Sequence, residues 1–151
     1  MVIQFVRHNY PQARFQRIYD AAIDGWREYD FHRCCDKKGW TLTIVETTKD
    51  FIFGGFTTAE WESSTCTKRN PHSFLFSVNE GSKYTVRSGD GQAILCDSYY
   101  CACFGSGGEL AIWSDSNNNT YSWCKSTGDS FKLPAAKGSQ YPSINGGDYY
   151  F

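Results

Sequence analysis

Residues Phe31–Phe56, FHRCCDKKGWTLTIVETTKDFIFGGF, read as helix end, turn, strand, turn, strand. Thr41 to Glu46 alternates, with Leu42 and Ile44 opposed to Thr41, Thr43 and Val45, and Phe51 to Phe56 gathers three aromatics around Gly54 and Gly55. Period-two runs of β-branched and aromatic residues bounded by Gly and Asp are hairpin signals. The Thr47–Asp50 connection is short enough to make the two strands antiparallel neighbours. Two adjacent glycines in a bulky strand withdraw two side chains from packing and mark a bulge or the close approach of another group. At least one of them is therefore expected at positive φ or beneath another residue's backbone or ring.

Upstream of this stretch, Pro11 can open a helix at its first turn. Phe15, Ile18 and Tyr19 then share a face, the helix ends near Ala22, and Asp24-Gly25 stops it. A second helix is predicted over Trp26–Arg33, with Trp26, Tyr29 and Arg33 on one side, and Asp36–Gly39 turns into the first strand. Downstream, Thr57–Asn70 reads as a loop anchored by Trp61. Strands are predicted at Ser73–Val78, Lys83–Arg87, Ala93–Cys96, Tyr99–Phe104 and Glu109–Trp113. Later strand capacity is confined to Tyr121–Trp123, the vicinity of Phe131–Leu133, and Tyr149–Phe151. Helices first and short strands after them give an α+β class. The alternation places Leu42, Ile44, Phe53, Phe74 and Phe76 together in one core between sheets.

A chain of 151 residues is of single-domain size and buries enough surface to fold without staples. With 15 basic and 16 acidic side chains interspersed, it lacks the basic footprint of a nucleic-acid binder. No apolar run approaches the roughly 20 residues of a membrane span. The opening MVIQFVRHNYPQ lacks the apolar region of a signal peptide, so a cytoplasmic location is expected. The seven cysteines (Cys34, Cys35, Cys66, Cys96, Cys101, Cys103 and Cys124) are odd in number, which points to reduced thiols.

Several landmarks occur in order between Ile18 and Phe151: Phe31-His32 followed by Cys35-Asp36, Gly39 before Thr41-Leu42, then Phe53-Gly54-Gly55-Phe56. Trp61, the strand Ser73-Phe74-Leu75-Phe76, and Phe104-Gly105 before Glu109-Leu110 complete the set. In this pattern the chain resembles the TLDc domain family. The resemblance implies an α+β fold of two antiparallel sheets packed as a β-sandwich with a few short flanking helices. It also implies a non-enzymatic domain, linked to oxidative-stress protection and to binding and regulation of the vacuolar proton-pumping ATPase, with no cofactor. Two departures stand out. Cys101-Ala102 occupies the place of a family Gly-Pro, so the turn there must be built differently. The family's closing strand, of Glu-Ile-Glu-Val-Phe type, has no counterpart beyond Asp148–Phe151. Residues 1–151 are thus expected to form a single TLDc-like domain lacking that final strand, with an open sheet edge.

Candidate chemistry is sparse. Cys96, Cys101, Cys103 and Cys124 could supply a zinc site, but without a CxxC pair plain buried or surface thiols are the commoner outcome. His32, Cys35 and Asp36 invite a nucleophile reading, yet triad members usually come from separate elements. His32 and Asp36 are instead expected to satisfy the helix end. Trp61, Trp113 and Trp123 could line a groove, although aromatics at this density are more often core. Lys37-Lys38 reads as a solvated turn. Gly105–Gly108 could cradle an anion, but no helix or Lys-Ser/Thr follows it. These readings favour a protein-interaction module with neither catalytic nor metal-binding residues. The alternative is a thiol-dependent redox or hydrolytic protein.

Overall fold

The computed structural model describes residues 2–87, 91–125, 130, 131, 133, 143–146, 148, 150 and 151. The hairpin forms as read, between β1 (Thr41–Glu46) and β2 (Ile52–Thr57), with Thr43 opposite Gly55 and Ile44 opposite Gly54. Its turn is held by Thr47, whose Oγ1 accepts the N–H groups of Lys49 and Phe51. Four strands, β1, β2, β4 (Phe74–Ser77) and β5 (Ser82–Thr85), make one antiparallel sheet in that spatial order. A second sheet runs β3 (Cys66–Arg69), β6 (Gln92–Cys96), β7 (Tyr100–Phe104), β8 (Leu110–Trp113) and β9 (Trp123–Cys124).

The two sheets enclose the main core. Phe53 and Leu75 from the first sheet meet Ala93, Ile94, Phe104 and Leu110 from the second, and Trp61 lies among them. With three short helices, α1 (Val2–Arg7), α2 (Ala21–Asp24) and α3 (Glu28–Cys35), the fold is an α+β sandwich. The segment at Ser130–Phe131 closes one side: Phe131 bridges Val86 after β5, and the buried Glu109 Oε1 accepts the Ser130 and Phe131 N–H groups at 2.7 and 3.2 Å. At the β9 edge, Tyr150 bridges Trp123 and the Phe151 N–H donates to the Ser122 carbonyl. Among the described residues no helix is long and apolar enough to cross a membrane.

The expected single core divides in two. Phe53 lies between the sheets, whereas Phe74 and Phe76 pack with Phe56 and Val6 on the other face of the first sheet, and Leu42 adjoins them. Ile44 is 55% exposed. The reason is that α1 covers that other face, so all four residues of β4 are buried and alternation no longer distinguishes the inter-sheet side.

The predicted helix from Pro11 to Ala22 is also absent: residues 13–20 are irregular, with Phe15 and Ile18 about 40% exposed. Helical structure precedes it at α1, where Val2, Phe5 and Val6 join the outer core, and follows it at α2, capped by the Asp20 carboxylate. The second helix begins and ends two residues later than read, leaving Trp26 outside it. Thr57–Asn70 contains β3, whose strand character comes from pairing with β6 rather than from any local pattern. Among the described residues the last paired strand is Trp123–Cys124 rather than Tyr121–Trp123. Where the resemblance called for a differently built turn, Cys101-Ala102 lies inside β7, beside a register shift between Tyr100 and Cys103. The expected strand near Phe131–Leu133 is an isolated bridge at Phe131, Lys132 lying outside the described residues, as does Tyr149 of Tyr149–Phe151.

Candidate functional site

Helix α3 carries acidic residues in its first turn, Glu28 and Asp30, and His32 and Arg33 in its last, the arrangement that complements the helix dipole. Its buried face bears Phe31, His32 and Cys35. Phe31 meets Trp61 edge-on at 5.7 Å, and Trp61 meets Phe104 edge-on at 5.4 Å, which ties the helix to the sandwich interior. Trp61 is 1% exposed, and its Nε1–H donates to Thr41 Oγ1 at 2.8 Å. Asp36 ends the helix: its N–H donates to the His32 carbonyl, and the next N–H, from Lys37, donates to the Trp61 carbonyl.

His32 and Asp36 form a closed network. His32 Nδ1 lies 2.7 Å from Asp36 Oδ1, while Nε2 lies 3.0 Å from the Tyr100 carbonyl and 3.2 Å from that of Asp97. Ser63 Oγ donates to the other Asp36 oxygen at 2.7 Å. Both imidazole nitrogens thus face oxygens, and neither is turned toward a thiol or a hydroxyl. Burial, reinforced by Cys34 and Asp36 nearby, pushes the Cys35 thiol up to about 12. A thiol held protonated beside a histidine committed elsewhere is not an activated nucleophile. The network opens on a shallow cleft of about 670 Å³ lined by Glu28, Tyr29, Arg33, Ser63, Ser98 and Tyr99 together with His32 and Asp36. Tyr29 and Tyr99 are 56% and 71% exposed on its walls.

The remaining singled-out positions are spread through the scaffold. Gly39 takes φ +77° in open space, so its turn conformation alone calls for glycine. Gly54 and Gly55 have ordinary extended dihedrals, but a Cβ on Gly54 would stand 2.0 Å from the Thr43 carbonyl oxygen, and one on Gly55 would enter the Phe104 ring. Phe53 is inter-sheet core, and Phe74 and Phe76 belong to the outer one. Gly105, at φ +86°, lies directly beneath the Glu109 carboxylate. The Gly105–Gly108 turn offers no free anion cradle, because the N–H groups of Gly105, Ser106 and Gly108 donate to Ala93, Ser130 and Gly105 oxygens. Trp113 and Trp123 are not core like Trp61: half-buried, they line a surface hollow with Tyr121, Lys125 and Tyr150. Lys37 is an exposed turn residue at φ 57°.

The four cysteines read as a possible zinc set do not assemble. Cys96 joins Glu62 and Cys66 instead, the group among the described residues whose ligand atoms lie within 4.8 Å of one another. Burial pushes Cys101 and Cys103 up to about 12, and Cys124 higher still. Glu62 goes the opposite way: hydrogen bonds from Ser64, Cys66 and Lys68 hold its carboxyl down at about 2. Sequence reading missed this trio, since Cys66 and Cys96 become neighbours only through the pairing of β3 with β6. Tyr100 and Asp97 were missed as histidine partners because they arrive from 68 and 65 residues away.

A family model described as TLDc domain matches residues 1–146. No curated protein matches the chain.

Proposed function

The chain belongs to the TLDc domain family, and from that premise we propose that it is a non-catalytic protein-interaction domain that binds and regulates the vacuolar proton-pumping ATPase from the cytoplasm and so contributes to oxidative-stress protection. A fold alone does not carry a function, so the reading must rest on the site. The observation that carries it is the His32–Asp36–Ser63 network, in which both imidazole nitrogens are committed to internal oxygens at the floor of an open cleft. A histidine with both nitrogens so committed has none left to exchange a proton with a substrate. What the cleft presents outward is two exposed tyrosines and Arg33, residue types that dominate the energetics of protein interfaces.

The thiol-dependent alternative has less support, because burial holds Cys35, Cys101 and Cys103 protonated at neutral pH. The test is retention of ATPase subunits on the immobilised chain. Binding that falls at least tenfold in Tyr29→Ala/Tyr99→Ala, with the melting temperature unchanged, is the expected result. No retained subunit, together with ester or peptide turnover abolished by Cys35→Ser, would overturn it.

A further inference from the structure

Strand register sets Cys66 of β3 directly opposite Cys96 of β6. Directly opposed residues on one face have Cβ atoms about 5 Å apart. Glu62 reaches the same point from the loop before β3: its Oε1 accepts from the Cys66 thiol at 3.2 Å and from Ser64 Oγ at 2.7 Å. All three ligand atoms lie within 4.8 Å of one another. In a tetrahedral zinc site, metal–sulfur bonds of about 2.3 Å put neighbouring ligand atoms about 3.5–3.8 Å apart. The trio is therefore within about 1 Å of that geometry before any metal arrives.

We propose that Glu62, Cys66 and Cys96 form a zinc-binding site that fastens the edge strand β3 and the loop before it to β6. Two thiolates select a soft cation over calcium or magnesium, and the carboxylate completes a donor set that suits zinc. Three protein ligands leave a fourth position, which falls to water because the Glu62 side chain is 35% exposed. Binding replaces the two thiol protons, which pass to solvent, and breaks the Cys66–Glu62 hydrogen bond. Zinc with two thiolates and one carboxylate carries a net charge of −1. Lys68 Nζ, 3.3 Å from Glu62 Oε2 and donating to the Glu60 carbonyl, supplies the balancing charge from outside the ligand shell. The other buried thiols, Cys101, Cys103 and Cys124, join no such group among the described residues.

The experiment titrates the full chain, reduced and chelator-treated, with zinc against a chromophoric chelator, and separately with cobalt. One metal per chain is expected, with thiolate-to-cobalt charge-transfer absorption and a melting temperature that rises with zinc concentration. Cys66→Ser should weaken binding at least about 100-fold and Glu62→Gln about 10-fold or more. Both substitutions lie on a partly exposed edge, so they keep the test valid even if the fully buried Cys96→Ser variant fails to fold. Absence of stoichiometric uptake, or uptake unchanged in Cys66→Ser and Glu62→Gln, overturns the site.

Discussion

Gly55→Ala adds one methyl group where the structure has no room for it. The new Cβ would stand 2.5, 2.6 and 2.7 Å from Cζ, Cε1 and Cε2 of Phe104. Carbon atoms rest about 3.5–4.0 Å apart, so strand or ring must retreat by about 1 Å. The ring has little freedom to do so: Phe104 is fully buried and stands edge-on to Trp61 at 5.4 Å. Overpacking of this kind costs about 1–3 kcal/mol. Removing a glycine from a strand returns about 0.5–1 kcal/mol of backbone entropy. The net expectation is a loss of about 1–2 kcal/mol, a fall of about 2–8 °C in melting temperature for a chain of this size. Urea denaturation with an unchanged slope would measure it. Phe104→Leu removes the obstructing ring atoms, so the double variant should be more stable than the sum of the single effects by at least about 0.5 kcal/mol. A neutral or stabilising Gly55→Ala, or strict additivity with Phe104→Leu, would refute the close-approach explanation.

Phe74→Ala should cost about 3–5 kcal/mol through the cavity left in the core beneath α1, whereas Ile44→Ala should stay within about 0.5 kcal/mol, as urea denaturation can check. In metal-free native protein at pH 8, a thiol reagent mapped by mass should label the partly exposed Cys34 and Cys66 first, while Cys35, Cys101 and Cys103, held near 12, and Cys96, near 11, react only on unfolding; first labelling at Cys35 would contradict this. Because the Glu62 carboxyl is lowered in the fold, its contribution is present above its ordinary value near 4.5 and is lost as pH falls toward about 2. Metal-free Glu62→Gln should therefore show a shallower loss of stability on acidification across that window, and a matching acid limb would remove the claim.

The β1–β2 hairpin was legible because Thr41–Glu46 alternates, Phe51–Phe56 is an aromatic run around two glycines, and Thr47–Asp50 admits only a short return. That His32 and Asp36 lie together at the helix end was legible too, from their spacing of four, although their side chains bind each other and the Asp97 and Tyr100 carbonyls rather than the last turn's backbone. Which face of the first sheet meets the second was not. A four-residue strand buried on both sides, like Phe74–Ser77, carries no period, and only the arrival of α1 decides what covers its outer face. Strand β3 was hidden for a related reason: Cys66–Arg69, CTKR, has weak intrinsic strand character and is defined by a partner that begins more than twenty residues later. The same distance concealed the Glu62–Cys66–Cys96 cluster.

The spatial order of the two sheets also sets an order in time. Every strand of the first sheet lies between Thr41 and Thr85, so all of them leave the ribosome before Gln92 does. Strand β3 is made within that interval, yet its sheet neighbour is β6. Until β6 emerges from the ribosome, the N–H and C=O groups of Cys66–Arg69 have no strand to pair with, and any other nascent chain could use them. Lys68 and Arg69 lie on that waiting edge, and charged side chains, lysine above all, discourage edge-to-edge pairing of exposed strands.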